Sequence, residues 1–248
     1  MPLTIHSNGS VFIDDDTFDQ ADLLWSMKQS DQAPSTACPS PQAYLDAYQC
    51  GEEDIYVVTL SALLSGSHNS AEQARVLMEE DNPEINVHVF NSCSASSGEV
   101  LVALKIKELA ETGMPFRKVV REVEQFIYQM QTLFVLESLE NLRKNGRLTR
   151  LQAVVTGALK IKLLMAATPE GRYASWVRPS PPDRLWSRWW IKWPAIRGTR
   201  QDIGHHHCNC LERAFQVKDM VEAKCKFAQT IILEAGGITS VYANDAVL

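Results

Sequence analysis

The sequence predicts an α/β fold built on a parallel sheet, and three observations carry that prediction. Asp54–Leu60 is a continuous apolar run, as is Ile85–Phe90, and strands buried on both faces read this way instead of alternating. Between them, 67–80 has helical periodicity, so strand, helix and strand follow one another as a parallel crossover requires. Leu133-Phe134-Val135-Leu136 supplies a third core strand after two further helical stretches.

The other elements follow in order. Leu3-Thr4-Ile5 and Val11-Phe12-Ile13 flank Ser7-Asn8-Gly9-Ser10, and Asn-Gly between β-rich runs signals a hairpin. Residues 17–28 read as a helix with Phe18, Leu23, Leu24 and Met27 inward. Ser40 is an N-cap and Pro41 an N1 proline, starting a helix to about Cys50. Helices are expected at about 94–112 and 115–130, with Gly113-Met114-Pro115 as stop and restart. After Arg147 the spacing predicts a short helix near 149–158, a strand at 161–167, a helix at 210–225 and a strand at 228–233. Ile238–Ala243 reads as a last strand after the Gly236-Gly237 turn. Residues 1–146 therefore form a parallel-sheet N-terminal lobe and 147–248 a smaller α/β C-terminal lobe, closely packed together.

Composition excludes several classes. The 248 residues carry a net charge of −6 and a pI near 5.5, so no global basic field exists to hold nucleic acid. No apolar run reaches the roughly 18–20 residues of a membrane span, so stable membrane insertion is not expected. The N-terminus lacks the basic and apolar regions of a signal peptide, and the six cysteines are scattered, which points to reduced thiols in a cytoplasm.

One block departs from these averages. Residues 172–200 hold five of the six tryptophans and seven Lys or Arg against one acid, 7 − 1 = +6, leaving −12 for the rest of the chain. A single-stranded nucleic-acid platform or a membrane-surface segment has this composition. Codon arithmetic favours a third origin. Tryptophan has the single codon TGG, so Trp189-Trp190-Ile191 fixes eight consecutive bases, which spell Val-Asp when read two bases later. The 176–204 stretch is therefore expected to be frame-shifted between compensating indels.

No nucleotide fingerprint, P-loop or serine-hydrolase elbow is present, so neither a nucleotide cofactor nor a catalytic residue is indicated. His205-His206-His207-Cys208-Asn209-Cys210 is the most metal-like pattern, but no second ligand cluster at zinc spacing accompanies it. It reads as a polar loop before a helix, with no metal. Two loop-to-helix junctions are more informative: Ser35–Pro41, and Leu64-Ser65-Gly66-Ser67 after the strand ending at Leu60. Ligands of open α/β sheets sit beyond the carboxyl ends of strands, and free N–H groups at a helix start attract anions. Thr36 and Ser65 hydroxyls and the Gly66 backbone would cradle one carboxylate or phosphate. Asn91-Ser92-Cys93-Ser94 offers a third junction on the same rim, and Arg147, beside Gly146, can reach an anion or a partner.

These junctions, in this order, resemble the DegV family of bacterial fatty-acid-binding proteins. The matching residues are Pro2-Leu3, Thr36–Pro41, Leu64-Ser65-Gly66-Ser67 with Ser70-Ala71, and Asn91-Ser92. The series continues through Leu139, Leu142, Asn145-Gly146-Arg147-Leu148 and Lys160-Ile161-Lys162-Leu163, and closes on His207-Cys208-Asn209 and Val241-Tyr242-Ala243-Asn244. The resemblance implies one long-chain fatty acid with its tail buried between the lobes and its carboxylate held by Thr36, Ser65 and Gly66. It implies Arg147 near the head group and facing a separate ATP-dependent fatty-acid kinase, with no catalysis by this chain. Against the family pattern, the first strand with its D-S-x-x-D-L loop is missing, Asn91 replaces an acid and Leu163 a proline. Two other readings remain: a small-molecule kinase- or transferase-like subunit on a related fold, which lacks a convincing general base although His68 stands at the right junction, and a degraded, non-functional family member.

Overall fold

The computed structural model describes residues 1–136, 140–147, 163–175, 202–223 and 225–243. The helix expected near 149–158, the Trp/Arg block from Trp176 to Arg200, and the motif residues Leu139, Leu148, Lys160–Lys162 and Asn244 lie outside them. The described elements are β1 (Thr4–Ser7), β2 (Ser10–Ile13), α1 (Gln20–Lys28), β3 (Ser35–Ala37), α2 (Pro41–Tyr48), β4 (Asp54–Thr59) and α3 (Ser67–Asp81). They continue with β5 (Asn86–Asn91), α4 (Ser97–Ala110), α5 (Phe116–Gln129), β6 (Leu133–Leu136) and α6 (Glu140–Lys144). The last are β7 (Leu163–Ala167), β8 (Tyr173–Ser175), β9 (Asp202–His207), α7 (Leu211–Glu222), β10 (Gln229–Glu234) and α8 (Gly237–Ala243).

The strands form two parallel and two antiparallel groups. β4 pairs with β5 in parallel, from Asp54 opposite Asn86 to Thr59 opposite Asn91. β9 pairs with β10 in parallel, from Asp202 opposite Gln229 to His207 opposite Glu234. Each pair is joined by a crossover that includes a helix, α3 in the first case and α7 in the second. The antiparallel groups are β2-β1-β3 and β6-β7-β8. At the hairpin between β1 and β2, Asn8 and Gly9 have φ of 48° and 77°, the two left-handed residues of a type I′ turn. Ser40 caps α2 by accepting from Ala43 N at 3.2 Å, with Pro41 in the first turn as expected.

The core is divided among the elements that bury apolar faces. Tyr44, Tyr48, Ala71, Ala74 and Met78 from α2 and α3 cover Val87 and Val89 of β5. Phe90 packs with Val102, Ile106, Val119 and Val123 of α4 and α5. Helix α4 touches both β4 and β9, so it links the two parallel pairs. Ile5, Leu23 and Val241 form another cluster, which joins the N-terminal sheet and α1 to α8. No helix among the described residues is long and apolar enough to cross a membrane.

Two local expectations are corrected. Ile238–Ala243 is not a strand but most of helix α8. Its β-branched Ile238, Thr239 and Val241 suggested a strand, yet Gly237, Ser240 and Val241 are buried at the three- and four-residue spacing of one helical face. Its cap comes from far along the chain: the Asp14 carboxylate accepts from Gly237 N at 2.6 Å and from Ile238 N at 2.9 Å. His205–His207 is not a polar loop but the end of strand β9. Pairing with the apolar Ile231-Ile232-Leu233 of β10, and cover from α4 and α7, override its polar composition. Both His205 and His207 are 93% buried, at 7% relative exposure each.

Candidate functional site

A cavity of about 170 Å³ opens between β6, the end of β9, α8 and the start of α4. Leu133–Leu136, Leu60, Leu142, Val217 and Ile238 make much of its wall apolar. Tyr173 stands in the wall with its ring edge-on to Phe134, the centroids 4.6 Å apart. Burial, and then the nearby Glu99 and Tyr242, push the Tyr173 phenol up, so it stays protonated. Arg147 and Tyr242 carry polar groups into the same wall.

Arg147 is held by neutral groups. Its Nε donates to Leu64 O at 3.2 Å and its Nη1 to Asn145 O at 2.5 Å. Its guanidinium carbon lies 5.5 Å from the centroid of the Tyr242 ring, within cation–π range. The Tyr242 hydroxyl in turn hydrogen-bonds Thr36 Oγ1 at 2.8 Å. Thr36 sits in the middle of β3, where it opposes Ile5 of β1. Ser65 Oγ accepts from Ser67 N at 3.2 Å and shares a hydrogen bond with Ser67 Oγ at 3.0 Å. Gly66 is the N-cap of α3, and a Cβ placed there would lie 3.1 Å from Cys38 Sγ. The segment that follows Thr36 and the Leu64–Gly66 junction therefore touch. Of the four predicted residues only Arg147 lines the cavity; Thr36 is linked to it through Tyr242, and Ser65 and Gly66 follow Leu64, whose carbonyl accepts from Arg147.

The third junction braces the loop that leads into Leu64–Gly66: Ser94 O accepts from Ser61 N at 2.8 Å. Asn91 Oδ1 accepts from Ala62 N at 3.1 Å and Cys93 N at 3.2 Å, fastening the ends of β4 and β5 to each other. His68 is equally committed: its Nδ1 lies 3.3 Å from Thr59 Oγ1, which donates to Phe90 O.

Two features escaped the sequence reading. Tyr242 touches both Thr36 and Arg147, although the sequence offered it only as part of a terminal motif. The histidines of β9 line the cavity, and His205 Nε2, His206 Nδ1 and His207 Nδ1 are buried with no hydrogen-bond partner among the described residues. Burial holds His205 below the ordinary histidine range, and burial with the neighbouring His207 takes His206 down to about 4. These two rings are therefore neutral at physiological pH. Among the described residues, no group of three or more side chains is arranged to hold a metal ion.

The chain is an α/β protein with a largely apolar cavity, and comparison with known proteins identifies its family. The family model for uncharacterised proteins of the DegV family matches residues 1–248, and the chain belongs to that family. A DegV domain-containing protein of Streptococcus gordonii is 32% identical over 99% of this chain and 87% of its own length. One from Streptococcus pyogenes serotype M18 is 37% identical over 69% of this chain, and that match spans 61% of the relative's length. Among solved structures, the DegV family protein of Ruminococcus gnavus with vaccenic acid superposes with a TM-score of 0.94 at 40% identity. That match covers 100% of this chain and 89% of the other. The Streptococcus pneumoniae Fatty Acid Kinase B3 protein loaded with linoleic acid has a TM-score of 0.89 at 30% identity, over 99% and 88% of the two chains.

The start of α4, part of the cavity wall, carries a pH-sensitive group. Glu99 Oε1 accepts from Ser96 N at 2.9 Å in a capping box. Burial pushes its carboxyl up from 4.5 to about 7, against the Ser96 hydrogen bond and with help from Asp14. The folded chain then binds this proton more tightly than the unfolded chain. That contribution to stability is fully present below about pH 4.5 and is lost as pH rises through about 7. Glu99→Gln is permanently neutral and keeps an acceptor for Ser96. Its stability relative to wild type is expected to rise between pH 5 and pH 8 by on the order of 2–3 kcal/mol in urea melts. A difference that stays flat across that range refutes the assignment.

Proposed function

We propose that this protein binds one long-chain fatty acid, with the tail in the apolar cavity and the carboxylate at the Arg147 end. The observation that carries the reading is the wall itself: an apolar chamber in which the guanidinium of Arg147 is anchored by carbonyls and an aromatic ring. Each buried methylene contributes about 0.8 kcal/mol, so a sixteen-carbon tail supplies roughly 10 kcal/mol of gross driving force. The carboxylate contacts then set orientation. Helix α3 favours an anion nearby, because its 15 residues begin at Ser67, its N-cap Gly66 has no side chain to cap it, and its first turn holds no acid. The relatives crystallised with vaccenic and linoleic acids support the choice of ligand. The name of the pneumococcal relative supports a partnership with a fatty-acid kinase, the enzyme that would phosphorylate the presented carboxylate. The six cysteines form no disulfide with one another, which supports a cytoplasmic reading.

The direct test is mass spectrometry of ligand extracted from the purified protein. One long-chain acid per chain is expected, and a sugar or phosphate ester in its place overturns the reading.

The carboxylate clamp makes a sharper prediction. Thr36 and Ser65 each give one hydroxyl to the same anion, and a lost hydrogen bond to a charged group costs about 1.5–3 kcal/mol. Thr36→Val and Ser65→Ala should each weaken fatty-acid binding by that amount in a calorimetric titration. Unchanged affinity in both variants removes the clamp.

Arg147 serves presentation and not tail burial. Its planar fork suits a carboxylate and then an acyl phosphate. Arg147→Ala is expected to keep most of the acyl affinity and to lose acyl-phosphate formation when a bacterial fatty-acid kinase and ATP are supplied. Normal phosphorylation of that variant returns Arg147 to a purely structural role.

A further inference from the structure

We propose that His206, with His205 and His207 beside it on β9, forms a polar subsite within the cavity that takes a hydroxyl carried along an acyl chain. The proposal rests on the fatty-acid reading and adds hydroxylated long-chain acids to the ligands of the site. Five consecutive residues, Gly204 to Cys208, line the cavity. Side chains of a strand alternate between faces, so an unbroken run reaches a cavity along the strand's edge. Among the described residues β9 pairs with β10 alone, which leaves its other edge toward the cavity. A Cβ on Gly204 would lie 2.8 Å from Ser97 Cβ, so this residue faces α4. By alternation His206 faces the same side, where Ala95, Ser96 and Ser97 also line the cavity. His205 and His207 face α7, whose Glu222 and Lys218 act on the His205 ring.

Nearby hydroxyls of the wall already have partners. Thr132 Oγ1 meets Ser94 Oγ at 2.5 Å, and Thr239 Oγ1 meets Ser96 Oγ at 2.6 Å. The imidazoles differ: His205 Nε2, His206 Nδ1 and His207 Nδ1 are buried with no hydrogen-bond partner among the described residues. A buried polar atom left alone costs stability, and three on consecutive residues of a cavity wall point to a partner from outside the chain. Burial, and then His207, take His206 down to about 4, so its ring is neutral at physiological pH. A neutral imidazole carries one N–H and one bare nitrogen. An anion uses only the first and a cation only the second, whereas a hydroxyl donates and accepts and suits either. The rest of the wall, Leu133–Leu136, Leu142 and Val217, is apolar and favours hydrocarbon around that one polar group. A plain methylene chain fills the same space and leaves the nitrogens unserved.

The test titrates stearic acid and a set of hydroxystearic acids, differing only in where the hydroxyl sits, into the whole chain. A hydroxyl buried without a partner weakens binding roughly five- to a hundredfold. In the wild type at least one isomer is expected to bind within about threefold of stearic acid, or more tightly. His206→Leu keeps the bulk and removes both nitrogens. It should hold stearic acid within about threefold of wild type and weaken that isomer about tenfold. His206→Asn, whose amide comes near the place of Nδ1, should recover part of the loss. Uptake of stearic acid shows that each variant is folded. Should His206→Leu fail that check, imidazole nitrogen NMR of the wild type decides: the preferred isomer must shift a His206 resonance that stearic acid leaves in place. The proposal alone is overturned if every isomer falls outside the threefold margin, if His206→Leu keeps the wild-type preference, or if both ligands leave the same His206 resonance. A wild-type protein that takes up neither stearic acid nor any isomer sinks the fatty-acid reading and the proposal with it.

Discussion

The carboxylate of Asp14 holds the last helix in place, and the polar mouth of the cavity hangs from that helix. A seven-residue helix is far too short to persist by itself. Asp14 supplies charge-assisted acceptors for the first two amides of α8, and the positive end of the helix dipole favours the same group. Gln20 adds hydrogen bonds to Ala235 O and Ser240 Oγ, and Asn141 fastens the other end through Val241 O. With α8 held from three directions, Ile238 and Thr239 line the cavity and Tyr242 reaches Thr36. The N-terminal hairpin thus contributes to the site twice, through Asp14 beneath α8 and through β1, which pairs with the strand carrying Thr36.

This dependence explains what could be read from the sequence. β4, β5 and β6 were legible because strands buried on both faces must be apolar throughout, a demand visible in a few consecutive residues. α3, α4 and α5 were legible from their periodicity. α8 was not, because its cap lies at Asp14 and its seven residues are mostly β-branched or small; nothing local marks it as helical. β9 was not, because its burial is imposed by β10, α4 and α7 while its own side chains are polar. Thr36, Ser65, Gly66 and Arg147 were singled out in the sequence because they fall at junctions; in the fold Thr36 lies within β3, Ser65 and Gly66 precede α3, and Arg147 follows α6. Tyr242 has no local signature: its contacts with Thr36 and Arg147 depend on which strand and which turn fold against it.

Charged side chains on the helices are mostly paired. Arg75 pairs with Glu72 and Glu79, Lys105 with Glu108, and Lys218 with Glu222, at partly exposed positions where such pairs contribute little to stability. Arg147 is arranged differently. Among the described residues it meets two carbonyls and a ring, and no carboxylate. Carbonyls and an aromatic face orient a guanidinium without cancelling its charge, as a carboxylate partner would.

The cavity wall completes the same logic from the apolar side. An acyl tail gains by leaving water only if the groups it meets are uncharged, since an ion facing hydrocarbon loses its solvation. β9 brings three imidazoles to that wall, and burial keeps His205 and His206 neutral. Glu99, near the same chamber, is pushed toward its neutral form by the same burial. One desolvated interior therefore favours the neutral forms of His205, His206 and Glu99, while Arg147 in the same wall is held by carbonyls and a ring. The polarity gradient along the wall follows from which side chains burial makes neutral.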